Sequence, residues 1–267
     1  QFNPSVVWDI GSNDGVFLKP LQELGIKVCG IEPAGNLVNI ANNNRLQTIH
    51  GYFNQETANK AYHAVGSPDI VTASNVFAHA DKLDDIIRTV FNNLRENGIF
   101  IIEVQYLMDT IKDLTFDNIY HEHVNYWSVT ALNTFCNRLG YTLFRVEHID
   151  THGGSIRCYI SKNRQPEQSV GEFLKQEGDN GVHDIGTYTQ FADRVQDIKK
   201  NVQKNMKSLK HLFPYIGAYG SPAKATTALN YYEITDIQYT IEDNDLKLDK
   251  YLPGVNVKIV PSGYMKI

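Results

Sequence analysis

The feature that most constrains this chain is the alternation of short apolar runs with helix-patterned segments through its first hundred residues. The runs "VVWDI" (6–10), "KVCGI" (27–31), "LQTIH" (46–50), "DIVTAS" (69–74) and "IFIIEV" (99–104) have the length of strands. Between them lie segments such as "DGVFLKPLQEL" and "DKLDDIIRTVFNNLREN", whose apolar residues recur at three- and four-residue spacing. Gly98 closes the second of these at a helix stop. Strands and helices alternating at this pitch predict βαβ units, a parallel sheet and an α/β fold.

Beyond Val104 the pattern loosens, then recovers as a helix around 128–139 and two strands, "TLFRVEHI" and "SIRCYIS", joined by "DTHGG". The polar stretch 161–187 reads as a linker. A long helix follows, "TYTQFADRVQDIKKNVQKNMKSLKHLF", with Tyr188, Phe191, Val195, Ile198, Val202, Leu209 and Leu212 on a seven-residue repeat. Such a stripe suits a helix laid across the protein body or a dimer coiled coil. A second strand–glycine–helix–strand unit, "YIGAYGSPAKATTALNYY" then "IQYTIEDN", predicts a smaller α/β lobe. The expected organisation is an α/β domain over 1–162, a connecting segment and long helix over 163–212, and a truncated lobe over 213–267.

The net charge is −5 and no Lys/Arg-rich run appears, which argues against nucleic acid held through its phosphates. No apolar run approaches the roughly 20 residues needed to span a bilayer. Three scattered cysteines, Cys29, Cys136 and Cys158, leave no CxxC motif and fit a reducing cytoplasm. The start at Gln1 reads as that of a fragment or processed chain.

The first turn, "DIGSNDG", puts Gly11, Asn13 and Gly15 between the first strand and first helix, where a ligand approaches the backbone closely. Glu32, ending the second strand in "GIEP", is placed to accept ribose hydroxyls. The absence of GxGxxG weakens a dinucleotide reading. Asp9 beside the turn suits a cationic ligand bearing an amino acid, such as S-adenosylmethionine (SAM); an ordinary βα turn is the competing reading. Phe53 after the third strand, and Asn75 and His79 after the fourth, lie where such a ligand is touched.

"YHEHVNYW" (120–127) crowds two histidines, a carboxylate and three aromatic rings into eight positions. On the residues alone it is a metal clip, a packed turn or an acid–base site. His121 and His123 lack a clear third metal ligand. In an extended segment Tyr120 and Glu122 share one face and His123 the other, so joint action requires a turn.

Taken in order, "DIGSNDG", "GIEP", "SNVFAH", "IEVQYLMD", "FDNIYHEHVNYWS", "HGGSIR" and "YGSPAKATT" resemble the SAM-dependent sugar C-methyltransferases, along essentially the whole chain. The resemblance implies a class I, Rossmann-like methyltransferase domain with a C-terminal α/β lobe. Its substrate would be a deoxy-keto sugar on a nucleotide diphosphate, expected to be dTDP-linked. Zinc would belong to a small N-terminal domain whose cysteines this chain lacks; no metal site is expected here. SAM would lie against Asp9, Gly11, Asn13, Gly15, Glu32, Phe53 and Asn75. Carbon methylation needs a base and an oxyanion partner. His123 is implied as base, Tyr120 as the group polarising the ketone, Glu122 as the group that orients a histidine or holds a sugar hydroxyl, and His79 nearby. His152, Ser155 and Arg157 of "HGGSIR", with Tyr219, Ser221, Lys224 and Asp243 of the second lobe, would hold the sugar nucleotide. Asp243 is expected where Glu32 sits in the first lobe. Here Ala225 replaces the family's usual glycine, and Asp245 a proline. The rival readings are an NAD-dependent sugar-nucleotide oxidoreductase, a non-catalytic nucleotide-sugar-binding module, and an O- or N-methyltransferase.

Overall fold

A computed structural model describes residues 2–151 and 153–264. The chain forms two compact units, one of Gln1–Asp109 with Val124–His183 and one of Thr110–His123 with Asp184–Ile267.

The first unit runs β1 (Val6–Ile10), α1 (Leu18–Glu23), β2 (Lys27–Glu32), α2 (Gly35–Asn43), β3 (Thr48–His50), α3 (Gln55–Val65), β4 (Ile70–Ser74), α4 (Leu83–Asn93) and β5 (Ile99–Gln105). After α5 (Leu107–Asp113), which runs on into the second unit, come α6 (Val129–Arg138), β6 (Thr142–Ile149), β7 (Ser155–Ser161) and α7 (Gln168–Asp179). The sheet order is β3-β2-β1-β4-β5-β7-β6. β1 to β5 pair in parallel, and β7 runs antiparallel to both β5 and β6. All five residues of β1 are buried, as a parallel sheet covered on both faces requires. Trp8, Ile10, Cys29, Val71, Phe100 and Ile102 form its core. This is the expected α/β, Rossmann-like arrangement. Its strand order reverses between β1 and β4, which opens a crevice at the carboxyl ends of the strands.

Two expectations change. β3 is shorter than "LQTIH" because Leu46 turns into a separate cluster with Leu18, Val28 and Ala41. The polar stretch read as a linker contains α7. Val170, Phe173, Leu174 and Glu177 recur at helical spacing, and the first three pack on the core. Glu177 is fully buried. Its carboxylate accepts from Val129 N (2.6 Å), Thr130 N (2.8 Å) and Thr130 Oγ1 (2.6 Å), satisfying the first turn of α6. Burial, and then this carboxylate, hold the Tyr106 phenol above its ordinary range.

The second unit carries α8 (Ile185–Leu212), β8 (Gly217–Tyr219), α9 (Ala223–Tyr232), β9 (Tyr239–Ile241), β10 (Tyr251–Leu252) and β11 (Val257–Val260). Its sheet order is β10-β11-β9-β8, with β8, β9 and β11 parallel. Polar side chains of α8 reach α9 and the turn after it: Gln196 Nε2 donates to Tyr231 OH (2.8 Å), Lys199 meets Glu233 (2.6 Å), and Gln203 Nε2 donates to Tyr232 O (2.9 Å). Segment 110–123 packs in this unit through Phe116, whose ring lies 4.8 Å from Tyr231 and 5.3 Å from Tyr232. Among the described residues no helix is long and apolar enough to cross a membrane.

Glu177→Ala removes three hydrogen bonds to a buried carboxylate and uncaps α6. We expect a loss of about 3 kcal/mol in urea unfolding; a loss below about 1 kcal/mol contradicts the capping role.

Candidate active site

At the carboxyl edge of the first sheet lies a cavity of about 1040 Å³. Gly11 follows β1 into its wall, Glu32 and Pro33 follow β2, Tyr52 and Phe53 follow β3, and Asn75, Val76 and His79 follow β4. Asp85, Ile86 and Arg88 of α4 complete it, and sequence reasoning missed all three; their signal is the first two turns of a helix that begins beside the fourth strand's loop.

Glu32 is the most firmly held of these side chains. Its carboxylate accepts from Asn13 N (3.0 Å) and Ala34 N (2.8 Å), which fixes it across the first turn. Gly11 has φ +69°, and a Cβ there would stand 2.8 Å from Val76 Cγ2, so only glycine lets this turn meet the β4 loop. Asn13 and Asn75 also have positive φ, +53° and +57°, a conformation asparagine adopts more readily than most residues.

The expected cofactor residues thus separate. Gly11, Glu32, Phe53 and Asn75 line the cavity, together with His79. Asp9, Asn13 and Gly15 are not on its wall. Asn13 contributes its amide to Glu32, and Gly15 packs against Leu46. Asp9 is buried within β1, with Thr72 Oγ1 donating to it at 2.6 Å. Burial raises its pKa to about 7; the Thr72 hydrogen bond opposes this, and the Glu32 charge adds to it. A wall that pairs Glu32 with a buried carboxyl behind it favours a ligand carrying positive charge and hydroxyl groups.

In the second unit the ring-rich stretch makes a turn. His123 Nδ1 donates to Asn118 O (2.8 Å), and Tyr120 OH donates to His123 Nε2 (3.1 Å). A carbonyl only accepts, so Nδ1 carries a proton, and in the neutral form of the ring the lone pair is then at Nε2. Burial first, and then the Glu122 carboxylate, hold the Tyr120 phenol above its ordinary range, so it stays a donor. The main-chain carbonyl of Asn118 thus holds the Nδ1 edge of the His123 ring. Glu122 is exposed, 4.0 Å from His121 Nε2.

The expected substrate residues are dispersed. His152 lies outside the described residues. Ser155 is fully buried and its hydroxyl donates to Thr151 O (3.1 Å). Arg157 pairs with Glu103 at 2.9 Å across the β5–β7 register. In the second unit, Tyr219 OH donates to Asp243 (2.8 Å) and Lys224 is half-buried.

The carboxylate in the place of Glu32 is Glu242, which corrects the expectation of Asp243. The register pairs Tyr219 with Ile241, the last residue of β9, so Glu242 is the first residue after it. Gly220 (φ +89°) donates to Ile241 O at 2.8 Å, as Gly11 does to Ile31 O at 2.8 Å. Glu242 accepts from Ser221 N (3.2 Å) and from the amide two residues on, Asn244 N (3.2 Å), as Glu32 accepts from Asn13 N and Ala34 N. Lys247 Nζ meets the same carboxylate at 3.2 Å. The turn expected to cradle a pyrophosphate already holds an anion of its own. Among the described residues no group of three or more His, Cys, Asp or Glu is arranged to hold a metal ion.

The chain matches two family models, one described as a methyltransferase domain over residues 1–146 and one as a C-methyltransferase C-terminal domain over 150–266. It is 29% identical to the C-methyltransferase NovU of Streptomyces niveus over 95% of this chain and 62% of that protein. It is 27% identical to the ubiquinone biosynthesis O-methyltransferase of Azorhizobium caulinodans over 45% of this chain and 47% of that protein. The chain therefore spans less than two thirds of either relative. A solved structure of the PH0226 protein from Pyrococcus horikoshii OT3 aligns with 58% of this chain and 81% of its own, at 18% identity and a TM-score of 0.46.

A raised carboxyl binds its proton more tightly in the folded state. Its contribution to stability is therefore full below the unfolded value near 3.8 and is lost as pH rises towards 7. Asp9→Asn should flatten this slope. It should exceed the parent in stability above pH 7 by up to about 4 kcal/mol in urea unfolding; identical pH profiles for the two proteins contradict the assignment.

Proposed function

The chain belongs to the SAM-dependent C-methyltransferase family, and on that premise we propose that it transfers a methyl group from SAM to a carbon next to the ketone of a nucleotide-linked deoxy-keto sugar. The cavity of the first unit fits the donor. Glu32, held by two amides, accepts the ribose hydroxyls, and Phe53 takes the adenine. Gly11 and Asn75 give the backbone its close approach, and the Asp9 carboxyl behind the wall balances positive charge. When bound, SAM supplies an electrophilic methyl group.

The remaining chemistry is proton transfer. The observation that carries this reading is the His123 ring, whose Nδ1–H is fixed on Asn118 O and whose Nε2 faces the Tyr120 hydroxyl. With the Tyr120 hydroxyl turned from Nε2 to the ketone oxygen, His123 Nε2 would take the proton as the C–H bond breaks and its electron pair moves onto that oxygen; the pair returning to carbon would then take the methyl group that SAM supplies, the S–CH₃ electrons staying on sulfur. Tyr120, a neutral phenol, donates to the developing oxyanion. In this proposal Glu122 receives a sugar hydroxyl, His79 stands on the wall of the donor's cavity, and Tyr219, Lys224 and Asp243 hold the nucleotide sugar. The Glu242–Lys247 pair in the second glycine turn favours hydroxyl recognition there over binding of the diphosphate. A hydride-transferring NAD enzyme is the weaker reading, since the first turn lacks GxGxxG.

His123→Ala should lower methyl transfer by about 10²–10⁴-fold and abolish solvent exchange of the sugar C–H. Binding of S-adenosylhomocysteine (SAH) should remain within about two-fold of the parent. Exchange retained in this variant reassigns the base.

A further inference from the structure

The loop after β4 that carries His79 is neither helix nor strand, yet three of its main-chain carbonyls accept from one short segment. Val124 N and Asn125 N both donate to Ala78 O, at 2.8 and 3.2 Å. The Asn125 carboxamide donates to Phe77 O at 3.2 Å and to Ala80 O at 2.9 Å. His79 N closes the turn on Val76 O at 3.0 Å. Phe77 is fully buried against Phe100 and Trp127, so one side of the loop is anchored in the core. On the other side, His79 and Ala80 form part of the cavity wall.

We propose that Asn125 is a positioning residue: its carboxamide clasps the carbonyls on either side of His79 and fixes that histidine on the cavity wall. The chemistry is specific to a primary amide. Its planar NH₂ carries two donors, which meet the carbonyls of Phe77 and Ala80. Aspartate has the same shape and no donor, so it sets a carboxylate against two carbonyl oxygens. Serine keeps a single donor on a shorter arm. Because the loop's own residues form no regular ladder, its conformation rests on these external donors.

The activity-linked part of the test rests on the cavity being the cofactor's; the geometric part does not. In protein labelled with ¹³C-histidine, the His79 ring signal is identified by its loss in His79→Gln. Asn125→Asp should shift and broaden that signal while the signal of a histidine outside the loop and its partner segment, such as His63, stays in place. Asn125→Ser should give a smaller displacement, which keeps the test open if the aspartate variant folds poorly. Calorimetry should show SAH affinity reduced about ten-fold in Asn125→Ala. In a His79→Ala background the same change should give no further loss, since the two substitutions act through one ring. An unmoved His79 signal in both Asn125→Asp and Asn125→Ser overturns the proposal, as does an equal Asn125→Ala loss with and without His79. Failure of the parent protein to bind SAH overturns the cofactor reading instead and leaves the ring signal to decide this one.

Discussion

Five parallel strands that end along one edge, with their order reversing between β1 and β4, are the constraint from which the first unit's site follows. The loops leaving β1 and β4 diverge to opposite faces of the sheet, so the edge between them cannot close. Residues just past the strand ends become the cavity wall whatever their identity. The sequence then determines what that wall recognises. Glu32, clamped by two amides, and Asp9, buried behind the wall, make it receptive to hydroxyls and positive charge.

The second unit repeats the same turn with a different outcome. Gly220, Ile241 and Glu242 reproduce the hydrogen bonds of Gly11, Ile31 and Glu32. Lys247 then neutralises the carboxylate, which Glu32 has no matching lysine to do among its hydrogen bonds. The same backbone device therefore presents an ion pair in one unit and a carboxylate in the other. In the Tyr120–His123–Asn118 chain a main-chain carbonyl takes the Nδ1–H and the Tyr120 hydroxyl meets Nε2.

Much of this was legible in the residues. Continuous apolar runs such as "VVWDI" announce buried parallel strands, and Gly11, Glu32, Phe53, Asn75 and His79 follow strand ends, so their convergence is a consequence of topology. What stayed hidden depends on contacts between distant segments. Helix α7 hides in a polar composition because only one of its faces, Val170 to Glu177, meets the core. Asn125 carries no signal of its own within "YHEHVNYW", since the carbonyls it meets lie 45 and 48 residues away. Asp243 was placed one residue too late because strand register, not spacing from the glycine, sets which carboxylate follows β9. Segment 110–123 gives no sign in sequence that it packs with the second unit, because Phe116 meets tyrosines more than a hundred positions on.

The central claim is that the first unit's cavity takes a sulfonium-type methyl donor rather than a dinucleotide. Calorimetric titration of the intact chain with SAH and, separately, with NAD tests it most directly. The account predicts saturable SAH binding and no measurable heat with NAD. Saturable NAD binding in the absence of SAH binding would contradict it.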